Sequence, residues 1–152
     1  MRHVIRRVAD DQGLALRAKN LKLAIDARNV TLAADFEKLR IILDNLMSNA
    51  IKFSPPGGTV SIAARTNGAH LELDVGDEGP GVAPAERPHI FDPFYQGAQV
   101  AEGRVKGTGI GLSVVREYAT AHGGSVELVD ARQAAGAHFR VRLPLVQPEA
   151  TA

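Results

Sequence analysis

Asn45, Asn49 and Lys52 recur at spacings of four and three residues within the apolar stretch Leu39–Phe53. Wound as a helix at about 100° per residue, they share a sector about 60° wide. Leu39, Ile42, Leu43, Leu46 and Ala50 fall on the adjoining side, so one flank can enter a core while a narrow stripe presents two carboxamides and an ammonium. A carboxamide oxygen is a hard ligand suited to Mg²⁺, which takes one or two protein groups and completes its shell with water and phosphate oxygens. Lysine supplies a compact positive charge to phosphate. A solvated polar stripe with Lys52 snorkelling fits the same spacing, and the stripe alone leaves both readings open.

Two further segments carry complementary chemistry. Asp77-Glu78-Gly79-Pro80-Gly81 follows a strand-like run. A carboxylate at a strand end can accept a hydrogen bond from an exocyclic amine such as that of adenine, and glycines let a flat ring approach the backbone. An ordinary Asp/Gly surface turn has the same composition. Gly107-Thr108-Gly109-Ile110-Gly111-Leu112 opens a helical pattern. Backbone N–H groups at such a start, unobstructed by Cβ atoms, form an anion site. A flexible hinge is the other reading. The triplet matches neither the P-loop nor the dinucleotide fingerprint. Taken together, a cation and phosphate stripe, an adenine acceptor and a phosphate loop are the parts of an ATP site.

The elements that must position these groups are legible from periodicity. Val4–Leu16 reads as one helix and Leu21–Asp26 alternates as a strand. Asn29 and Thr31 fall at a turn and a short strand, and Asp35 is placed to N-cap a helix over Phe36–Phe53. Pro55-Pro56-Gly57-Gly58 stops that helix. Thr59–Arg65 and His70–Val75, joined at Asn67-Gly68, carry a hairpin signal. A short helix starts near Pro84, and residues 91–109 lack periodicity and read as a mobile loop. Ile110–Ala121 reads as a helix ended by Gly123-Gly124, before a closing strand pair, Ser125–Val129 and His138–Leu143. Helices mixed with hairpins, without strict alternation, predict an α+β two-layer sandwich and not a doubly wound parallel sheet.

Bulk properties exclude several classes. The 152 residues suit one domain, and 45% hydrophobic with 23% charged residues is globular composition. The net charge of +1 gives no electrostatic case for nucleic acid or membrane binding. With no cysteine, disulfides, thiolate-bound zinc and thiol catalysis are out. No apolar run approaches the roughly 18–20 residues that span a bilayer, and no signal peptide opens the chain. A membrane anchor in a longer parent stays open. Residues 2–28 hold seven Lys/Arg against three Asp, a difference of +4 that reads as a solvated helix face. His122 suits a helix C-terminus better than a phosphoacceptor role. His3, His70, His89 and His138 show no metal spacing, and Phe139, Val141 and Leu143 alternate as core.

On these residues the chain closely resembles the histidine-kinase branch of the GHKL ATPase superfamily. Asn45-Leu46-Met47-Ser48-Asn49-Ala50-Ile51-Lys52-Phe53 is similar to the family's N box, and Asp77-x-Gly79-x-Gly81 to its first glycine box. Phe91-Asp92-Pro93-Phe94-Tyr95 resembles its F box. Gly107-x-Gly109-x-Gly111-Leu112 resembles its second glycine box, with His122-Gly123-Gly124 a usual companion. The resemblance implies a Bergerat fold: a mixed, mostly antiparallel sheet of about five strands covered on one face by about three helices, as a two-layer sandwich. It implies ATP and Mg²⁺ as ligands. Asn49 would hold Mg²⁺ with Asn45 in support, and Lys52 would contact phosphate. Phe53 would lie beside adenine, and Asp77 would bind its amino group next to Gly79 and Gly81. The segment from Phe91 to Gly109 would be a lid, anchored by Phe94, with Arg104 or Lys106 reaching phosphate. Gly107, Thr108, Gly109, Gly111 and Leu112 would line the phosphates.

The chain departs from a full kinase of this kind. None of its five histidines precedes Asp or Glu, so the acceptor pair of the dimerisation segment is absent. The expected division is therefore a connection over 1–20, a catalytic domain over 21–146 and a disordered tail over 147–152. The acceptor histidine would belong to a dimerisation domain of the parent, through which a response regulator would be served. The fragment itself would be monomeric and cytoplasmic, its parent bacterial and open to inner-membrane anchoring. Hydrolytic members of the superfamily carry a Glu where this chain has Asn45, which takes no proton at neutral pH. Transfer to a protein nucleophile is thus expected over hydrolysis. A nucleotide-gated interaction module and an anti-sigma-type serine kinase are the competing readings.

Overall fold

The computed structural model describes residues 2–27, 36–93, 95, 111–129 and 136–145. Two helices, α1 (Arg2–Asp11) and α2 (Gly13–Ala18), precede strand β1 (Lys22–Ala27) and the long helix α3 (Phe36–Phe53). A hairpin follows, β2 (Thr59–Asn67) and β3 (His70–Gly76), then a 3₁₀ turn at Arg87–His89. Helix α4 (Gly111–Ala121) leads to β4 (Ser125–Leu128) and β5 (His138–Pro144). The strands form one sheet of five in the order β1-β2-β3-β5-β4. Only the β1–β2 pairing is parallel; the other three are antiparallel. This is the expected mixed two-layer α+β architecture.

The sheet divides its side chains by strand alternation. Leu71, Leu73 and Val75 of β3 point inward with Val60, Ile62 and Ala64 of β2 and Phe139, Val141 and Leu143 of β5. Against them α3 lays Leu39, Ile42, Leu43, Leu46, Met47 and Ala50, with α1 adding Val4, Ile5 and Val8. Each such buried Val, Leu, Ile, Met or Phe side chain contributes about 1.5–3 kcal/mol of transfer free energy. The solvent face of the same strands is ionic. Glu72 and Asp74 of β3 are buried there between Arg65 of β2 and Arg140 and Arg142 of β5. The register places Glu72 opposite both Arg65 and Arg142, and Asp74 opposite Arg140.

Local differences from the sequence expectation have physical causes. The predicted helix Val4–Leu16 is two helices, because Gln12 leaves helical geometry (φ −94°, ψ 5°) just before Gly13. Gly13 is a poor helix former, and the Gln12 side chain instead donates to Asp44 Oδ1 on α3 at 2.7 Å. The helix expected near Pro84 amounts to turns and the 3₁₀ segment at Arg87–His89, which has a proline within its first positions. Asn29, Thr31, Asp35, most of the 91–109 segment and the tail lie outside the described residues. No described helix is long and apolar enough to cross a membrane.

Candidate functional site

Helix α3 is the spine of the site. It runs Phe36–Phe53, the span its periodicity predicts. Asn45 is half-buried; its Nδ2 donates to the Ile41 carbonyl at 2.8 Å, which fixes the carboxamide. The oxygen then faces the start of α4. A Cβ placed on Gly111 would lie 3.3 Å from Asn45 Oδ1. The N-box asparagine and the last glycine of the second glycine box are therefore neighbours across the α3–α4 packing. Asn49, one turn on, is half-buried, and its carboxamide pairs with no described residue. Lys52 is half-buried with Nζ 5.7 Å from the Phe53 ring centroid, and burial lowers its pKa from the usual lysine value.

The other end of α3 meets the loop after β3. Asp77 is 8% exposed, and its Oδ1 accepts from the backbone N–H of Gly79 at 2.8 Å and of Ala137 at 3.2 Å. Both bonds fall on one oxygen, and among the described residues Oδ2 accepts none. Burial raises the Asp77 pKa, and the two backbone N–H groups offset this only in part. Gly79 is buried hard against α3: a Cβ there would sit 2.3 Å from the Phe53 carbonyl oxygen. Only glycine lets this loop lie against the last turn of the helix. Gly81 (φ +76°) turns the chain away next to Gly136.

Asp77, Gly79 and Phe53 are thus joined at one end of the stripe, and Asn45 and Gly111 at the other. The nine residues of α3 from Asn45 to Phe53 separate the two ends by roughly 12 Å at 1.5 Å per residue. Leu112 packs partly buried against the core at the start of α4. Phe91 is held by an edge-on contact with Phe139 of β5, ring centroids 6.0 Å apart, so the F box is rooted in the sheet. Phe94, Arg104, Lys106, Gly107, Thr108 and Gly109 lie outside the described residues. His122 is buried with Nδ1 2.8 Å from the Tyr118 carbonyl, and Gly123 (φ +75°) ends α4. Gly123 and Gly124 donate to Thr120 and Ala119, the paired bonds of a Schellman cap. The helix-terminal role expected for His122 is what the fold shows.

Sequence reasoning missed the brace behind Asp77. Gly136 (φ +104°) sits where a Cβ would fall 2.0 Å from the Asp77 carbonyl oxygen, and this conformation delivers the Ala137 N–H to the carboxylate. A glycine two residues before an alternating strand was the available signal. Glu78 was also missed; its Oε1 accepts from the Thr59 N–H at 2.7 Å and ties the loop to the start of β2.

The donor set fits a hard cation carried on phosphates. It offers neutral amide oxygens, and among the described residues no group of three or more His, Cys, Asp or Glu could cage a metal alone. Beside Asp77 the glycines pack backbone against backbone, and the buried carboxylate with one oxygen bonded suits an amine donor.

Residues 34–147 match the family model of the histidine kinase-, DNA gyrase B- and HSP90-like ATPases. The chain belongs to this ATPase family. Its relatives put it in the sensor histidine kinase branch of the GHKL superfamily. It is 42% identical over 113 residues to the histidine protein kinase DivJ of Caulobacter vibrioides, covering 74% of this chain and 19% of DivJ. It is 33% identical over 141 residues to the sensor histidine kinase GlrK of Escherichia coli, covering 93% of this chain and 30% of GlrK. The chain therefore spans under a third of these relatives. Among solved structures, the mycobacterial sensor histidine kinase MprB superposes with TM-score 0.82 at 28% identity, covering 97% of both chains. Full-length ShkA in complex with AMPPNP gives 0.81 at 32% identity, over 96% of this chain and 30% of ShkA. The GHKL ATPase assignment makes the domain an ATP binder.

Proposed function

We propose that this domain binds Mg²⁺–ATP between α3, the loop 77–81 and the start of α4, and delivers the γ-phosphoryl group to a histidine on a separate dimerisation domain of its parent. The observation that carries this reading is the Asp77 carboxylate, buried and held by two backbone N–H groups on one oxygen, directly beside the end of the asparagine stripe. Asp77 accepts from the adenine amino group while Gly79, Gly81 and Phe53 bound the ring. Asn49 is the Mg²⁺ ligand and Asn45 supports it. Mg²⁺ supplies neutralisation of charge on the phosphate oxygens. Lys52 adds a positive charge; partly desolvated, that charge acts through a lower dielectric than water. Gly111 and Leu112 open the helix whose N–H groups face the phosphates, with Gly107, Thr108, Gly109, Phe94, Arg104 and Lys106 completing the lid side.

Neither asparagine of the stripe is a base at neutral pH, since a carboxamide takes no proton. Catalysis here is positioning and charge stabilisation of a loose phosphoryl group, with no covalent intermediate on this chain. The parent is a bacterial two-component kinase that serves a response regulator through its dimerisation domain, and this domain works as a monomeric unit on the cytoplasmic side. Asn49→Ala is expected to abolish Mg²⁺-dependent transfer to an added histidine-bearing dimerisation domain, measured with radiolabelled ATP. Undiminished transfer overturns the assignment. The isolated chain should take no stable label itself; label on it would show that the acceptor is misplaced.

A further inference from the structure

The end of α3 cannot cap itself. The last carbonyls of a helix are ordinarily met by N–H groups of the next residues. Ser54 N–H meets the Ala50 carbonyl at 3.0 Å, but the residues due to meet the Ile51 and Lys52 carbonyls are Pro55 and Pro56, which have no N–H. The next two N–H groups are committed elsewhere: Gly57 donates to the Lys19 carbonyl at 2.9 Å and Gly58 to the Pro55 carbonyl at 3.0 Å. Lys19, just beyond α2, fills the gap. Its half-buried Nζ donates to the carbonyls of Ile51 at 2.9 Å, Lys52 at 2.7 Å and Ser54 at 3.0 Å. An ammonium has three N–H donors, and all three are used. Its charge also lies at the negative end of the α3 dipole. The Gly57 N–H returning to the Lys19 carbonyl closes the clamp from the other side.

We propose that Lys19 is a positioning residue for nucleotide binding, acting through the last turn of α3. That turn holds Lys52 and Phe53, and the Phe53 carbonyl is the surface against which Gly79 lies, with no room for a Cβ between them. Gly79 in turn donates to Asp77 Oδ1. The contacts run from Lys19 Nζ to the last-turn carbonyls, from Phe53 to Gly79, and from Gly79 to Asp77. Loosening the turn displaces the phosphate lysine and the adenine carboxylate together. The inference rests on the nucleotide reading of this site, and on its own geometry independently of that reading.

The test compares wild type, Lys19→Met and Lys19→Arg in the whole chain. Met keeps the length and removes every donor, whereas Arg keeps the charge and can still donate to neighbouring carbonyls. Mg²⁺–ATP affinity is measured by calorimetry at a temperature where circular dichroism shows all three folded. Backbone amide NMR of Phe53, Gly79 and Ala137 is recorded without nucleotide. Lys19→Met is expected to weaken Mg²⁺–ATP about 10-fold, in line with loss of charged hydrogen bonds, and to shift the Phe53, Gly79 and Ala137 amides. Lys19→Arg restores most of both. In a double-mutant cycle Lys19→Met and Lys52→Ala are non-additive, because they act through one turn. A lower melting temperature for Lys19→Met with unchanged affinity and unmoved Gly79 and Ala137 amides overturns the proposal and leaves Lys19 a structural cap only. If wild type itself fails to bind ATP, the nucleotide reading falls; unmoved amides in the Met variant then overturn the positional link as well, while shifted ones preserve it.

Discussion

Asp74 and Asp77 lie three residues apart, are buried to a similar degree, and are treated in opposite ways. On the ionic face, burial alone would push Asp74 up. His138, Arg140 and Arg65 outweigh it and hold the carboxyl well below the usual carboxylate range. Arg140 donates twice to it, at 2.9 and 3.1 Å, Arg65 once at 3.0 Å, and His138 Nε2 lies 3.2 Å from Oδ2. Glu72 beside it is also lowered, by the Asn67 side chain against burial, with Arg140, Arg65 and Arg142 adding to the effect. Among the described residues Asp77 meets no cation, only two backbone N–H groups, and burial raises its pKa. The lesson is that these buried carboxylates divide by what is left unmet. Asp74 is saturated and holds three strands together, whereas among the described residues Asp77 keeps one oxygen without a partner and its charge without a cation.

The variant expected to act most strongly joins both regions. Gly136→Ala puts a methyl group against the Asp77 carbonyl in a backbone conformation that favours glycine. A loss of about 2–4 kcal/mol in urea unfolding is expected, with ATP affinity lost along with it. Next, Asp74→Ala strands cations that are partly solvated: the Arg140 side chain is 20% exposed and that of Arg65 40%. The cost is therefore at the low end for a broken buried pair, about 2–3 kcal/mol. ATP affinity of the folded variant should stay within about twofold, because the change lies on the opposite face from the site; a larger affinity loss by calorimetry would erase the distinction between the two aspartates.

Asp77→Asn reverses that pattern. The amide oxygen still accepts from Gly79 and Ala137, but a donor replaces Oδ2, so ATP binding should weaken roughly 10- to 100-fold. GTP, which lacks the adenine amino group, should lose less. The smallest expected effects are in pH dependence. The raised Asp77 pKa means that its charge costs stability once pH rises above the ordinary aspartate value near 4. Asp77→Asn should therefore match wild type in melting temperature at lower pH and exceed it slightly at pH 7. For Asp74 the sign is opposite. Its lowered pKa contributes stability above about pH 4 that is lost as pH falls toward the folded value, so the advantage of wild type over Asp74→Ala should shrink in acid.

The parts legible in the sequence were those with a strong period or a strong breaker. Helix α3 was readable over its full span because its apolar flank, its stripe and the Pro-Pro stop agree. The hairpin was readable from alternation and Asn67-Gly68, although β2 continues to Asn67 because its last residues pair with β3. The break at Gln12 was not readable, because it depends on a side-chain bond to Asp44 that only the folded α3 supplies. The ionic face was hidden for the same reason: Arg65, Glu72, Asp74 and Arg140 are scattered in sequence and become neighbours through strand register. At the candidate site, the asparagines and Asp77 could be nominated from sequence because their residue types carry the chemistry. Ala137 acts through its backbone N–H and Lys19 through carbonyls more than 30 residues away in sequence, so neither role is marked by residue type.

The most direct measurement is an amide and side-chain NMR titration of the whole chain with Mg²⁺–ATP, following both ends of the Asn45–Phe53 stripe in one experiment. The account predicts that Gly79, Ala137 and Gly111 and the Asn49 carboxamide shift along a single binding curve, while Arg65, Glu72 and Arg140 stay still. Shifts confined to the ionic face, or two separate curves for the Asp77 and Gly111 ends, would contradict it.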